Sequence, residues 1–203
     1  LLAQSQIATG DRDAALESYR QALEVEPDHP ELWCNLAAIL KQLGRVNESL
    51  EGWQKALKIN SENFAALAGF GAIKVDQQEY AEARRFLEKA IQIDPSAHEP
   101  RGNLILVALG ESEFDEAMEH FRKQPEAWRT SAQSNAMHGA ILDGLGRQAL
   151  MSGEFEKAEE FIRAALEKNE QLSSAWFNLG QVLRVHGDSE GAIAAYEKST
   201  EYG

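Results

Sequence analysis

Among the side chains that could ligate a metal, move a proton or attack a substrate in this 203-residue chain are five histidines, one cysteine and 33 carboxylates. His29, His98, His120, His138 and His186 never fall three or four residues apart, the spacing that places two imidazoles on one helix face around a metal. Cys34 has no second thiol to join it, which excludes an intrachain disulfide and a cysteine-rich metal site and fits a reducing compartment. The segment ILDGLGRQ places Gly144, Leu145 and Gly146 together, but no strand leads into it as a dinucleotide loop requires, so the glycines read as points of close helix packing. Glu156, Glu159 and Glu160 interleave with Lys157 and Arg163 in the manner of a solvated helix face. No catalytic residue, cofactor or metal site is expected from these positions.

Acids exceed bases by thirteen, whereas nucleic-acid surfaces cluster Lys and Arg, so no nucleic-acid partner is expected. No apolar run approaches the roughly 20 residues that span a bilayer, and the start lacks the basic, apolar and small-residue order of a signal peptide. Membrane insertion is not expected, and the location read from composition is cytoplasmic. A hydrophobic share of 43% is enough for a continuous core.

The elements that would position a site are written in a repeat. Ala15, Ser49, Ala83 and Ala117 follow at a constant 34 residues, and Ala158 and Ala192 resume the same step. Four residues beyond each, one turn on the same helix face, stands a large side chain: Tyr19, Trp53, Leu87, Phe121, Ile162 and Tyr196. Upstream, Leu2, Leu36, Phe70, Leu104, Leu145 and Leu179 share a phase, each followed by Ala3, Ala37, Gly71, Ile105, Gly146 or Gly180. Two antiparallel helices pack closely where one offers a small side chain to the other's bulky one. Gly10, Gly44, Gly153 and Gly187 mark the turn within each unit, and Pro27 and Pro95 the hand-over to the next. Asp28 and His29 before Pro30, and Asp188 or Ser189 before Ile193, mark helix starts. The unit is helix, turn, helix. One such pair cannot bury its apolar face alone, so neighbours must stack.

The spacing of Trp, Leu-Gly, Tyr, Ala, Phe and Pro resembles the tetratricopeptide repeat. Its best copies read LWCNLAAILKQLGRVNESLEGWQKAL from Leu32 and AWFNLGQVLRVHGDSEGAIAAY from Ala175. The resemblance covers almost the whole chain and implies an all-α, right-handed superhelical solenoid of about six repeats. Residues 1–124 hold a first block of four, 125–138 an insertion or linker, and 139–203 a second block of two. Departures from the pattern are Arg101 where Trp33 and Trp176 stand in other copies, Ile105 in place of the small residue, and Gln124 with Pro125, which shorten the fourth repeat's second helix. Ala117 to Ala158 is 41 residues, seven over the repeat. Seven residues are about two helical turns and could lengthen the next repeat's first helix, with Trp128 packed at the seam.

In this family the first helix of each repeat lines a concave groove. The resemblance therefore implies groove positions at Cys34, Ala38, Ala68, Ala72, Gly102 and Leu106, small or apolar, and at Asp143, Arg147, Phe177, Gln181 and Arg184, polar and partly basic. Cys34 and Ala38 stand where the chaperone-tail binding members carry a carboxylate clamp, so that subtype is excluded. Asn35, Asn103 and Asn178 share one repeat position and resemble the asparagine ladder of the O-GlcNAc transferase repeats, which implies contact with a peptide backbone. Gly69 and Gly144 interrupt it.

The expected function is an interaction scaffold that holds a protein or peptide partner. The alternative is the substrate-recognition arm of a larger enzyme such as a glycosyltransferase. The chain opens inside a first helix without Met and stops at Tyr202 and Gly203 before a polar capping helix. That predicts a piece of a longer protein, or a terminal repeat covered by a second copy in a homo-oligomer.

Overall fold

The computed structural model describes residues 11–203, and among them there are twelve helices and no strand. Leu2, Ala3 and Gly10, which open the repeat register, lie outside the described residues. The helices are α1 (Arg12–Val25), α2 (Pro30–Gln42), α3 (Val46–Ile59), α4 (Phe64–Asp76), α5 (Tyr80–Ile93), α6 (His98–Gly110), α7 (Phe114–Arg122), α8 (Glu126–Arg129), α9 (Ala132–Met151), α10 (Phe155–Lys168), α11 (Ser173–Val185) and α12 (Ser189–Glu201). The chain folds as two compact units, one up to Val107 and one from Ala108 to Gly203. The interruption expected after Gln124 lies inside the second.

Helix ends follow the local chemistry. Asp11, Asn63, Ser131 and Asp188 each accept a hydrogen bond from the backbone N–H three residues on, satisfying a donor that the first turn leaves open. The turn within each repeat needs a left-handed residue. Gly44, Gly153 and Gly187 supply it at φ 73°, 77° and 81°, but Gln78 at 60° and Ser112 at 61° occupy the same place in the third and fourth repeats. Each is followed by an N–H that reaches back to an otherwise open carbonyl at the helix end, from Arg45 to Leu40 (2.8 Å) through Glu79 to Lys74 (2.9 Å) and Asp188 to Leu183 (2.9 Å). The turn geometry thus holds even where glycine is missing.

The large and small stripes meet as the repeat register requires. A Cβ built on Gly71 would lie 2.7 Å from Leu87, on Gly146 2.6 Å from Ile162, and on Gly180 2.6 Å from Tyr196. Ser49, standing where other repeats have Ala, is fully buried and satisfies its hydroxyl by donating to the Ala37 carbonyl at 2.7 Å. In unit 1 the core is a succession of clusters rather than one centre. Tyr19 and Leu23 pack with Leu36 and Leu40, then Ala37 and Trp53 with Phe70 and Ile73, then Val75 and Leu87 with Leu104 and Val107. Each fully buried leucine of this kind contributes about 2 kcal/mol.

Arg101 does what the tryptophans do elsewhere. Trp33 Nε1 donates to the Pro27 carbonyl at 2.8 Å and Trp176 Nε1 to that of Glu170 at 2.7 Å, and the Arg101 guanidinium donates to the Pro95 carbonyl at 2.5 Å. In all three the acceptor lies six residues upstream, in the loop that hands one repeat to the next.

The seven extra residues become helix. α9 is 20 residues long against 13 for α2, α4, α6 and α11, and the preceding α7 is 9 against 14 for α1, α3, α5 and α10. Pro125 lacks the N–H that would continue α7, so the chain breaks, makes the single turn α8 and restarts at the Ser131 cap. Trp128 packs edge-on against Phe121 (centroids 5.9 Å) inside unit 2.

Candidate partner-binding face

In unit 1 the positions read as groove are partly closed. Cys34 is buried, and its thiol donates to Asn63 Oδ1 at 3.3 Å, the same oxygen that caps α4. Burial, with the Glu31 charge adding to it, pushes the thiol up to about 12. Cys34 is therefore a packing residue that braces the Asn63 cap of the next first helix, α4, not a side chain presented to a ligand. Ala38, Ala68, Ala72 and Gly102 are half-buried, and Leu106 keeps 39% of its surface exposed. Asn35 and Asn103 are half-buried, and among the described residues neither carboxamide has a hydrogen-bond partner.

The ladder positions that carry glycine do so for a steric reason. A Cβ at Gly69 would lie 2.5 Å from the Trp53 ring, and one at Gly144 would lie 2.1 Å from the ring of Phe114. Those rings occupy the space that an asparagine would need. Asn178 is likewise drawn into the packing. It is buried, and its Nδ2 donates to Asp143 Oδ1 at 2.9 Å while Ser174 Oγ donates to Asp143 Oδ2 at 2.7 Å. The carboxylate thereby ties α9 to α11. Ser174 carried no signal in the sequence beyond its place one turn before Asn178.

What unit 2 leaves open is the rest of that face. On α11, Phe177, Gln181 and Arg184 recur at helical spacing, and Phe177 is 50% exposed with its ring tilted on Tyr196 (centroids 5.6 Å). On α9, Arg147 follows Asp143 by one turn, is exposed, and lies over the Phe114 ring with its guanidinium carbon 5.4 Å from the centroid. Gln181 is half-buried and Arg184 exposed. Neither arginine has a carboxylate partner among the described residues, although Arg163, Lys157 and Lys198 of the same unit do. Among the described residues no three His, Cys, Asp or Glu side chains come together to hold a metal ion, and no helix is long and apolar enough to cross a membrane.

Helix pairs in a recurring register, joined by a left-handed turn and packed through small-to-large contacts, define a helical-repeat protein of the interaction-module class. Family models described as tetratricopeptide repeat match residues 30–63, 65–96 and 144–202, and one described as TPR repeat matches 5–44. The chain belongs to the tetratricopeptide repeat family. It is 24% identical to the protein CTR9 homolog of Arabidopsis thaliana over 96% of its own length and 21% of that protein's. It is 23% identical to tetratricopeptide repeat protein 8 of Caenorhabditis elegans over 90% of its length and 35% of that protein's. The chain thus spans about a fifth to a third of these curated relatives. The solved structure of YrrB, described as a TPR protein with an unusual peptide-binding site, superposes with a TM-score of 0.70 at 19% identity, over 92% of this chain and 93% of YrrB.

Proposed function

We propose that this chain is a protein-interaction scaffold, and that unit 2 holds an extended partner segment on the face formed by Arg147, Phe177, Gln181 and Arg184. The observation that carries the reading is that Arg147 and Arg184, with no carboxylate partner among the described residues, share first-helix positions with the half-exposed Phe177, in a chain whose net charge is −13. Guanidinium groups make forked, directional bonds to carboxylates and carbonyls, and an exposed aromatic supplies a low-entropy apolar contact. The partner is accordingly a peptide with an acidic residue next to a large apolar one. The peptide-binding site described for YrrB, a protein of similar fold, supports the same class of ligand.

In unit 1, Asn35 and Asn103, whose carboxamides have no hydrogen-bond partner among the described residues, would face a peptide backbone, with Leu106 as apolar neighbour. The test is an array of acidic-apolar peptides, with hits measured by titration against the intact chain and against Arg147→Ala, Arg184→Ala and Asn103→Ala. Each arginine variant is expected to weaken binding by about tenfold with an unchanged helical circular dichroism spectrum. Equal affinity for all proteins would remove the site assignment. A second reading, that the repeats select substrate for an enzyme of which they form part, rests on the chain spanning only 21% and 35% of the relatives named above.

A further inference from the structure

The inserted turn α8 and the lengthened α9 enclose, with α7 and α10, a pocket of about 390 Å³ in unit 2 whose walls include Arg129, Lys168, His138 and Asn135. Phe121 forms its apolar wall and stacks face-to-face on the His138 ring (centroids 4.2 Å, planes 25° apart). Two cations line the pocket, Arg129 on α8 and Lys168 on α10, and a third, Arg122 on α7, acts electrostatically on His138. None has an ion-pair partner among the described residues, while Lys123, Lys157, Arg163 and Lys198 of the same unit each have one. The Arg129 Nε–H is shielded from solvent and meets no acceptor, an arrangement that costs free energy until an acceptor arrives. Burial, and then the charges of Lys168, Arg122 and Arg129, hold the His138 imidazole below its ordinary range. Among the described residues, Glu126 is the one carboxylate lining the pocket.

We propose that this pocket is a phosphate site, taking one dianionic phosphate group against Arg129 and Lys168, with Arg122 adding charge and Asn135 a hydrogen-bond donor. A single carboxylate would neutralise one of three unpaired cations. A phosphate brings nearly two charges and three acceptor oxygens, and suits a guanidinium fork beside an ammonium. The overall acidity of the chain, which opposes a polyanionic backbone, does not oppose one phosphate in one cationic pocket. The site is separate from the Arg147 and Arg184 face, so either assignment can fail without the other.

The test is a titration of the intact chain with inorganic phosphate, read by the NMR signals of Asn135 and His138 and by the His138 titration curve. Saturable shifts are expected, with the His138 pKa rising by about half a unit or more as the bound anion offsets the cations. Lys168→Gln, a change at an exposed side chain, is expected to weaken binding by about tenfold, Arg129→Gln by at least as much, and Glu126→Gln to tighten it. A short phosphoserine peptide that binds more tightly than inorganic phosphate assigns the group to a protein segment, and equal affinity assigns it to the free anion. Absence of saturation in both arms overturns the proposal, and so does acetate producing the same shifts and the same pKa rise.

Discussion

Replacing Asp143 by Ala removes the acceptor of two hydrogen bonds between α9 and α11 at once. The effects of that loss differ at the two donors. Ser174 is solvent-accessible and regains water, but Asn178 is only 6% exposed, so its amide is left without a partner. A hydrogen bond to a charged group contributes about 1.5–3 kcal/mol, and a buried orphaned donor costs about 1–3 kcal/mol. Asp143→Ala is therefore expected to destabilise unit 2 by about 2–3 kcal/mol and Asn178→Ala by about 1–2 kcal/mol. The double variant should lose less than the sum, with a coupling of about 1–2 kcal/mol. The assay is urea unfolding of the four proteins followed by far-ultraviolet circular dichroism, supported by hydrogen exchange in α9 and α11 because repeats need not unfold as one. Additivity within about 0.5 kcal/mol would refute the staple and return Asn178 to the ligand-facing role its repeat position suggested.

Gly144→Asn, which restores the ladder in sequence, drives a side chain into the Phe114 ring and should destabilise unit 2 by about 3 kcal/mol in the same urea assay. Gln78→Gly and Ser112→Gly relieve side chains held at φ 60° and 61°; after the extra chain entropy of glycine each should stabilise by up to about 1 kcal/mol, read as a rise in Tm. Cys34, buried and with its thiol pushed up to about 12, should stay unmodified by a thiol reagent at pH 8 until urea exposes it. For His138 the folded-state pKa lies below the unfolded one, so the unfolded chain binds the proton first. Stability is then full above the ordinary histidine range, about 6.5, and falls as pH drops through it toward the lower folded value. His138→Gln should flatten that part of the stability-pH curve.

Much of the fold could be read before any coordinates, because the repeat places the same physical demand at each step. The 34-residue spacing marked the small residues that admit Leu87, Ile162 and Tyr196, and the 41-residue interval marked the seven residues that lengthen α9. Of the helix starts marked in the sequence, Asp188 caps its own helix within one turn, whereas His29 precedes Pro30 without a side-chain cap, and the caps Asp11, Asn63 and Ser131 carry no such mark. Gln78 and Ser112 were not legible as left-handed residues, because nothing local requires that conformation of them. It is imposed by the helices on either side. Arg101 read as a defect of the pattern, yet it makes the hydrogen bond that tryptophan makes in two other copies.

The candidate site divides along the same line. The residue types alone determined an acidic all-helical repeat chain, a basic pair at Arg147 and Arg184 on first-helix positions, and an asparagine at each of Asn35, Asn103 and Asn178. Only the tertiary structure decided which of these are open. Cys34 turned inward to Asn63, Asn178 was taken up by Asp143, rings of Trp53 and Phe114 filled the glycine positions, and the insertion gathered Arg122, Arg129 and Lys168 around His138. Periodicity assigns a residue to a helix face, because that depends on the chain's own geometry. Whether the face is solvent or contact depends on side chains about 30 positions away in the sequence, and only packing brings those together.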